Sequence, residues 1–231
     1  ERVDESVGKI VKTLEETGLA KNTLIIFTTD HGIAFPGAKA TLFDPGIGIS
    51  LIMSGPGIPA GEKIDCLSSN LDFMPTILDY LEIDIPENIE GVSLMPVIKK
   101  ERKEVRNKIF TELTYHAAYD PMRSVRTKKY KYIRSFEARP YYFPPNVDDG
   151  FSKELFRKRG YYEKIRPFEF FFDLEKDPLE KENLIDNPEY KNTIDEFRKI
   201  LLKWMKETDD PLLKGMVIPP EGAKITPPWA Y

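Results

Sequence analysis

The sequence predicts an α/β fold with a mostly parallel sheet covered by helices, followed by a small antiparallel sheet and a long C-terminal helix. Two observations lead to this prediction. Residues 23–29 and 48–53 form apolar, β-branched runs typical of strands buried on both faces, and helical patterns flank them. Beyond residue 104 the strand-like runs become short and alternating, as in antiparallel sheets. We therefore divide the chain into domains at residues 1–104 and 105–231.

The first domain is predicted to contain two helices around these two strands. The first helix is indicated by apolar residues at helical spacing, which are Val3, Val7, Ile10, Val11 and Leu14. Gly18 is placed to end it. The second helix is predicted over residues 72–81, because Asp72 is a good N-cap and Pro75 fits a first turn, where its missing N–H is harmless.

The second domain is predicted to hold four short strands, at residues 109–113, 124–126, 130–134 and 168–173. A long helix follows, with one apolar face formed by Ile194, Phe197, Ile200, Leu201, Trp204 and Met205. Residues 139–166 are rich in aromatic and charged residues and are interrupted by prolines. We predict a long loop there.

The composition excludes several classes of protein. Of the 231 residues, 41% are hydrophobic, which is enough for a folded core and excludes disorder as the main state. The 34 Lys and Arg residues against 38 Asp and Glu residues give a net charge of −4, so we expect no nucleic-acid partner. We expect no membrane span, since the apolar runs are far shorter than the roughly 20 residues that one needs. The single cysteine excludes an internal disulfide.

The triplet Asp30-His31-Gly32 directly follows the first buried strand. Ligands bind at the carboxyl ends of strands in open α/β sheets, so this position favours a functional site. A carboxylate suits Ca²⁺ or Mg²⁺, whereas an imidazole suits Zn²⁺ or donates a hydrogen bond to an oxyanion. Gly32 would let the backbone turn sharply beneath them. An ordinary turn that happens to contain Asp30 and His31 explains the same residues equally well.

Three further residues are candidates for binding an anion. Lys39 lies among small residues, where its ammonium neutralises a bound oxyanion or is simply solvated. His116 and Arg123 bracket a predicted loop between strands, which suits a sulfate or sugar acid, or ordinary polar contacts. Cys66 has no activating base or cation beside it in the sequence, so we expect an inert thiol.

Several of these segments together resemble one family. Residues 22–32, which end in Asp-His-Gly, and residues 39–43 and 72–78 look like the C-terminal half of the type I sulfatases, within the alkaline phosphatase superfamily. Residues 172–180 resemble the turn that precedes the family's final helix. A narrower similarity, to the N-sulfoglucosamine sulfohydrolase (heparan N-sulfatase) branch, lies in residues 35–36, 119–126 and 204–211.

The resemblance implies roles for the candidate residues. Asp30 matches a metal ligand, and His31 occupies the next position, where many relatives carry asparagine. Lys39 matches the basic residue that contacts the sulfate, so Lys39 and His31 are the expected catalytic residues. His116 and Arg123 are expected to join Lys39 in substrate binding. The implied cofactor is Ca²⁺, with Zn²⁺ or Mg²⁺ as alternatives.

The resemblance also implies a reaction and a missing partner. The family's nucleophile is a formylglycine in a Cys/Ser-x-Pro-Ser-Arg motif near the N-terminus, which these residues lack. We therefore expect this chain to supply the C-terminal half of an active site and to need the N-terminal half for turnover. The implied reaction is hydrolysis of a sulfuric ester or sulfamate on a sulfated sugar or glycosaminoglycan. A phosphodiesterase or phosphatase of the same superfamily, and a non-catalytic sulfatase-like binding domain, are the alternatives.

The compartment of the protein is not indicated by these residues. The resemblance suggests an exported, periplasmic or lysosomal location, which is usual for members of the family. The chain opens at Glu1, inside a predicted helix, and we expect it to be a piece of a longer protein.

Overall fold

The chain forms two compact units. The computed structural model describes residues 1–137, 141–142 and 144–227. The first unit comprises residues 1–30 and 49–106, and the second comprises residues 31–48 and those from 107 onward. Residues 31–48, called here the 31–48 segment, therefore lie with the second unit although they separate two strands of the first. The predicted domain boundary between residues 104 and 105 stays a prediction.

The first unit combines helices with a two-stranded sheet. Gly18 follows its first helix in the left-handed conformation, with a φ of 75°, as its placement predicts. No residue of that helix is buried, so its apolar residues lie outside the core of this unit. In chain order the elements up to residue 98 are α1 (Arg2–Glu16), β1 (Ile25–Thr28), α2 (Asp44–Ile47, in the second unit), β2 (Leu51–Ser54), α3 (Phe73–Tyr80) and α4 (Met95–Ile98).

The two strands of the first unit pair antiparallel, with Ile25 opposite Ser54 and Thr28 opposite Leu51. The expectation of a mostly parallel sheet is therefore wrong for these strands, whereas the mixed α/β class is confirmed. Parallel neighbours need a crossover connection, usually a helix that packs on the sheet. The connection between β1 and β2 contains only the four-residue helix α2, which belongs to the other unit.

Asp72 holds the first unit together in a way that differs from its predicted role. Asp72 occupies the N-cap position of α3, as predicted, but its side chain makes no capping hydrogen bond to that helix. The fully buried carboxylate instead pairs with the guanidinium of Arg106 and accepts the backbone N–H groups of Ser69 and Val92. A buried carboxylate needs such partners because water cannot solvate it.

The second unit is built on a four-stranded antiparallel sheet in the order β3-β4-β5-β6, which confirms the predicted small antiparallel sheet. Part of residues 139–166 forms helix α5 rather than the predicted loop, since residues 151–158 contain no proline and several good helix formers. Residues 139, 140 and 143 of that prediction lie outside the described residues. The elements are β3 (Ile109–Tyr115), β4 (Tyr119–Arg126), β5 (Tyr130–Ser135), α5 (Phe151–Lys158), β6 (Glu169–Asp173) and α6 (Lys191–Glu207).

Both faces of this sheet are covered, because successive residues of a strand point to opposite sides. One face, called here the helix face, packs Val125, Tyr132 and Phe171 against the predicted long helix α6, through Ile194, Phe197, Leu201 and Met205. The other, called the loop face, packs Met122, Ile133, Phe170 and Phe172 against Leu42, Phe43 and Ile47 of the 31–48 segment. In the described part of the chain, no helix combines the length and apolar character needed to cross a lipid bilayer.

Candidate functional site

The 31–48 segment carries His31 and Lys39 and folds back on itself. The backbone N–H of Gly32 donates to the carbonyl of Gly46 at 2.9 Å. A Cβ atom on Gly32 would lie 1.9 Å from the carbonyl oxygen of Pro45, so only glycine permits this approach. Gly32 therefore serves a close backbone contact rather than the sharp turn that the sequence suggested. The contact joins the two ends of the segment and leaves Lys39 in the loop between them.

An ionic network attaches this segment to the sheet. The carboxylate of Asp44 accepts hydrogen bonds from Nη2 of Arg126 and from Nζ of Lys131, each at 2.8 Å. Lys131 is fully buried and also lies 2.8 Å from the carboxylate of Glu180. That carboxylate in turn accepts the backbone N–H of Asp44 at 2.5 Å. The network therefore holds both the side chain and the backbone of Asp44 against β4 and β5.

The same network separates the pKa values of its two carboxylates. Burial disfavours the charged form of Asp44, but the hydrogen bonds from Arg126 and Lys131 outweigh burial and hold its pKa below the ordinary value. Burial has the larger effect on Glu180 and raises its pKa, although Lys131 acts in the opposite direction. The pKa of Asp44 is therefore the lower of the two.

Lys39 lies in a charged cluster with Asp148 and two histidines. Its Nζ donates to Oδ2 of Asp148 at 2.7 Å, and the Lys39 side chain is only 19% exposed. This hydrogen bond and the charge of Lys39 hold the pKa of Asp148 below its ordinary value. Burial lowers the pKa of His116, the charges of Lys39 and His31 lower it further, and Asp148 opposes them. The structure thus brings His31, Lys39 and His116 within electrostatic reach of one another.

The ring of His31 has a defined tautomer. Its Nδ1 lies 2.7 Å from the carbonyl oxygen of Gly32. A carbonyl oxygen can only accept, so Nδ1 is the donor of this hydrogen bond and carries a proton. This tautomer suits Nε2 for accepting a hydrogen bond or for ligating a metal ion.

The two predicted metal ligands do not complete a metal site by themselves. Asp30 is the last residue of its part of the first unit and directly precedes His31. Among the described residues, no group of three His, Cys, Asp or Glu side chains is arranged to hold a metal ion. A hard cation such as Ca²⁺ takes six to eight oxygen ligands. An ion at Asp30 and His31 therefore needs further oxygen donors besides these two side chains.

Arg123 lies apart from the cluster. The structure places it in β4 rather than in the predicted loop, and it faces the same side as Val125, which packs against α6. Its guanidinium donates to both carboxylate oxygens of Asp210, at 2.6 and 3.1 Å, and its side chain is 1% exposed. The loop placement is therefore wrong. A substrate-binding role for Arg123 stays a prediction, and this buried ion pair on the helix face argues against it.

Sequence reasoning missed the polar residues that surround Lys39. Asp148 is 109 residues away in the chain and lies in the segment predicted as a loop. Beside Lys39, a narrow cavity is lined by a buried ion pair in which Nη1 of Arg166 donates to Asp120 at 2.8 Å. Tyr142 and Tyr161 also line this cavity. No local spacing signals these residues, because only the folding of the second unit brings them to Lys39.

Several known proteins are similar to this chain. The profile of the family described as Sulfatase matches residues 1–83. An ulvan-active sulfatase of Formosa agariphila is 32% identical over 223 residues, which cover 90% of this chain and 37% of that protein. Human N-sulphoglucosamine sulphohydrolase is 29% identical over 237 residues, which cover 91% of this chain and 47% of that protein. The chain therefore spans less than half the length of these relatives.

A solved structure shares the fold. It is that of the protein BT4656 in complex with its substrate D-glucosamine-2-N,6-O-disulfate. The two chains superpose with a TM-score of 0.71 at 25% sequence identity, over 90% of this chain and 40% of that one.

Proposed function

We propose a function from the premise that this chain belongs to the type I sulfatase family, within the alkaline phosphatase superfamily. The chain supplies the C-terminal half of a sulfatase active site, which hydrolyses a sulfuric ester or sulfamate on a sulfated sugar or glycosaminoglycan. The observation that carries the proposal is the cluster of His31, Lys39 and His116, which the second unit assembles from distant parts of the chain.

The substrate class is a sulfated amino sugar in this proposal. The human relative is named for N-sulphoglucosamine, and BT4656 was solved with a glucosamine that carries both an N-sulfo and an O-sulfo group. The similarity of residues 35–36, 119–126 and 204–211 to the N-sulfoglucosamine sulfohydrolase branch supports the same choice. The linkage that is cleaved, N-sulfo or O-sulfo, is left to the experiment below.

Each residue of the cluster has a distinct role in this proposal. The ammonium of Lys39 neutralises charge on the sulfuryl oxygens as the bond to sulfur breaks, which lowers the energy of the transition state. His31 contacts the bound group through Nε2 in this proposal, since its Nδ1 donates to the Gly32 carbonyl. His116, whose pKa is lowered mainly by burial, contacts the substrate as a neutral hydrogen-bonding group. Arg123 holds β4 to Asp210 and acts through the fold.

Membership of the family implies a metal ion and a formylglycine nucleophile. We propose Ca²⁺ as the ion, with Asp30 and His31 as part of its ligand set. Asp30 offers the hard oxygen that this cation prefers, whereas the His31 nitrogen is a softer donor. The formylglycine and the remaining ligands are assigned to the N-terminal half of the protein, the partner of this chain.

The experiment measures inorganic sulfate released by the full-length protein from glucosamine bearing either an N-sulfo or a 6-O-sulfo group. Lys39→Ala is expected to lower kcat/KM by about a hundredfold or more, as removal of one oxyanion-stabilising donor does in other enzymes. Its thermal unfolding temperature should stay close to that of the wild type.

A matched control is Lys214→Ala. Lys214 is an exposed lysine of the same unit and donates to Asp209 at 2.8 Å, so its removal should change neither activity nor stability. Full activity of Lys39→Ala would overturn the role of Lys39. Hydrolysis of phosphodiesters in place of sulfated sugars would move the protein to the alternative activity within the superfamily.

A further inference from the structure

We propose that Asp148 is a specificity-determining residue of the anion site at Lys39. Its carboxylate favours a singly charged sulfo group over a doubly charged anion such as inorganic sulfate. The inference rests on the proposed function, because it takes Lys39 as the residue that contacts the sulfo group.

Asp148 lies where a ligand anion must compete with it. Its Oδ2 accepts from Nζ of Lys39 at 2.7 Å, so any anion that binds this ammonium lies close to the Asp148 carboxylate or displaces it. The Lys39 side chain is 19% exposed, whereas that of Asp148 is 59% exposed. The ammonium is therefore sheltered, and the carboxylate lies on its solvent side.

Asp148 is held in position by the two residues that precede it in the chain. The two residues before it are buried, Asn146 at 3% exposure and Val147 at 8%. Oδ1 of Asn146 accepts the backbone N–H of Ala118 at 3.0 Å, which ties this segment to the turn that carries His116. The carboxylate of Asp148 is thus presented to Lys39 by anchored neighbours.

Charge explains why such a carboxylate discriminates between anions. A sulfate ester or sulfamate carries one negative charge on its sulfo group, whereas the inorganic sulfate that is released carries two. Coulomb repulsion is proportional to the product of the charges, so Asp148 repels the released sulfate about twice as strongly as the substrate's sulfo group. The carboxylate therefore limits product inhibition, and it also disfavours phosphate monoesters, which carry about −1.5 to −2 charges at pH 7.

The experiment measures competitive inhibition of the full-length protein by inorganic sulfate and by sulfamate. Sulfamate has a similar tetrahedral sulfur group but a single charge. In Asp148→Asn, the inhibition constant for sulfate should fall by roughly threefold more than the constant for sulfamate, as one extra unit of repulsion at a hydrated site predicts. Asp149→Asn is the matched control, since Asp149 is the next residue, is 96% exposed and is bonded to Lys153 instead. It should change neither constant.

A second variant, Lys39→Gln, distinguishes failure of this inference from failure of the proposed function. If Lys39→Gln weakens both anions but Asp148→Asn shifts them equally or not at all, Asp148 has no part in specificity and Lys39 keeps its role. If Lys39→Gln alters neither constant, the anions do not bind at Lys39. Both the proposed function of Lys39 and the role of Asp148 would then be wrong. A larger shift for sulfate in Asp149→Asn than in Asp148→Asn would also overturn the inference.

Discussion

The two faces of the sheet in the second unit carry buried charge in different ways. On the helix face, Arg123 and Asp210 form an ion pair whose side chains are 1% and 2% exposed, within a core of aromatic and aliphatic residues, and the exposed carboxylate of Glu112 lies 3.3 Å from Nε of Arg123. On the loop face, Asp44, Arg126, Lys131 and Glu180 form a network in which the central carboxylate is 27% exposed.

The difference follows from what each face holds. The helix face packs one long helix, and its apolar contacts supply most of the stabilisation. The loop face holds the largely irregular 31–48 segment, which is attached both by apolar contacts and by the ionic contacts of Asp44. That segment carries His31 and Lys39. We therefore expect changes on the helix face to alter stability, and changes on the loop face to alter stability and activity together.

The largest effect on stability is expected from Asp210→Ala, which removes the buried partner of Arg123 and leaves its guanidinium only the exposed carboxylate of Glu112, at 3.3 Å. Removing one partner of a buried ion pair costs about 3–5 kcal/mol of unfolding free energy. Urea unfolding followed by circular dichroism measures the loss. The KM for sulfated substrate should not change, because this pair lies on the face away from Lys39.

The control for that variant replaces both partners with apolar residues, as Arg123→Met with Asp210→Leu. This double variant should recover most of the lost stability, since an apolar pair needs no desolvation of charge. If Asp210→Ala raised KM and left stability unchanged, Arg123 would belong to substrate binding. The two faces would then not differ in their effect on activity.

A smaller loss of stability, coupled to a loss of activity, is expected from Asp44→Asn. The amide keeps one acceptor but removes the charge that binds Arg126 and Lys131, which costs about 1.5–3 kcal/mol. Because Asp44 anchors the 31–48 segment, kcat/KM should fall although Asp44 touches no substrate. Urea unfolding and a steady-state assay below the unfolding transition measure the two effects. Normal kcat/KM in the folded variant would show that the network does not position Lys39.

The pH dependence of the Asp44→Asn variant tests whether the charge of Asp44 stabilises the fold. The folded pKa of Asp44 is below its ordinary value of 3.8, so its charge stabilises the fold above about pH 3.8 and this contribution disappears as pH falls through the folded pKa. The stability difference between wild type and Asp44→Asn should therefore be constant near neutrality and shrink below about pH 3.8. Unfolding curves at several pH values measure it, and a difference that grows in acid would contradict the assignment.

The smallest effect on stability is expected from His116→Asn. The folded pKa of His116 is below its ordinary value of 6.5, mainly through burial, so the folded state binds this proton less tightly than the unfolded state. The wild type should therefore lose a little stability as pH falls through 6.5 and none above it. Thermal unfolding at pH 8 and pH 5 should show a slightly smaller acid shift in the variant. An equal shift in both proteins would show that His116 does not cause it.

Part of the fold follows directly from sequence patterns. The α6 helix and the four strands of the second unit were predictable because burial on one side repeats every 3.6 residues in a helix and every two in a strand. The pairing of β1 with β2 was not predictable in this way. Both runs are apolar enough for a parallel sheet, but parallel pairing needs a crossover connection, and the chain between them contains only the four-residue helix α2.

Some residues of the candidate site were also predictable from the sequence, and others were not. Lys39 and His31 are visible in the sequence because they lie in short motifs of distinctive residues, and those motifs also carry the family resemblance. Arg123 was predicted to lie in a loop between strands, but it lies in β4, where strand alternation turns it toward α6 and Asp210. Asp148 gives no local signal at all.

Helix and strand segments, and the residues capable of binding an anion, depend on neighbouring residues, so the sequence alone specifies them. Which of those residues meet depends on contacts between positions 87 to 109 residues apart. Lys39 with Asp148, Asp44 with Lys131 and Arg123 with Asp210 are such contacts, and folding selects them by burying apolar faces and pairing the charges left inside. The tertiary structure therefore decides which charges serve the site and which only support the fold.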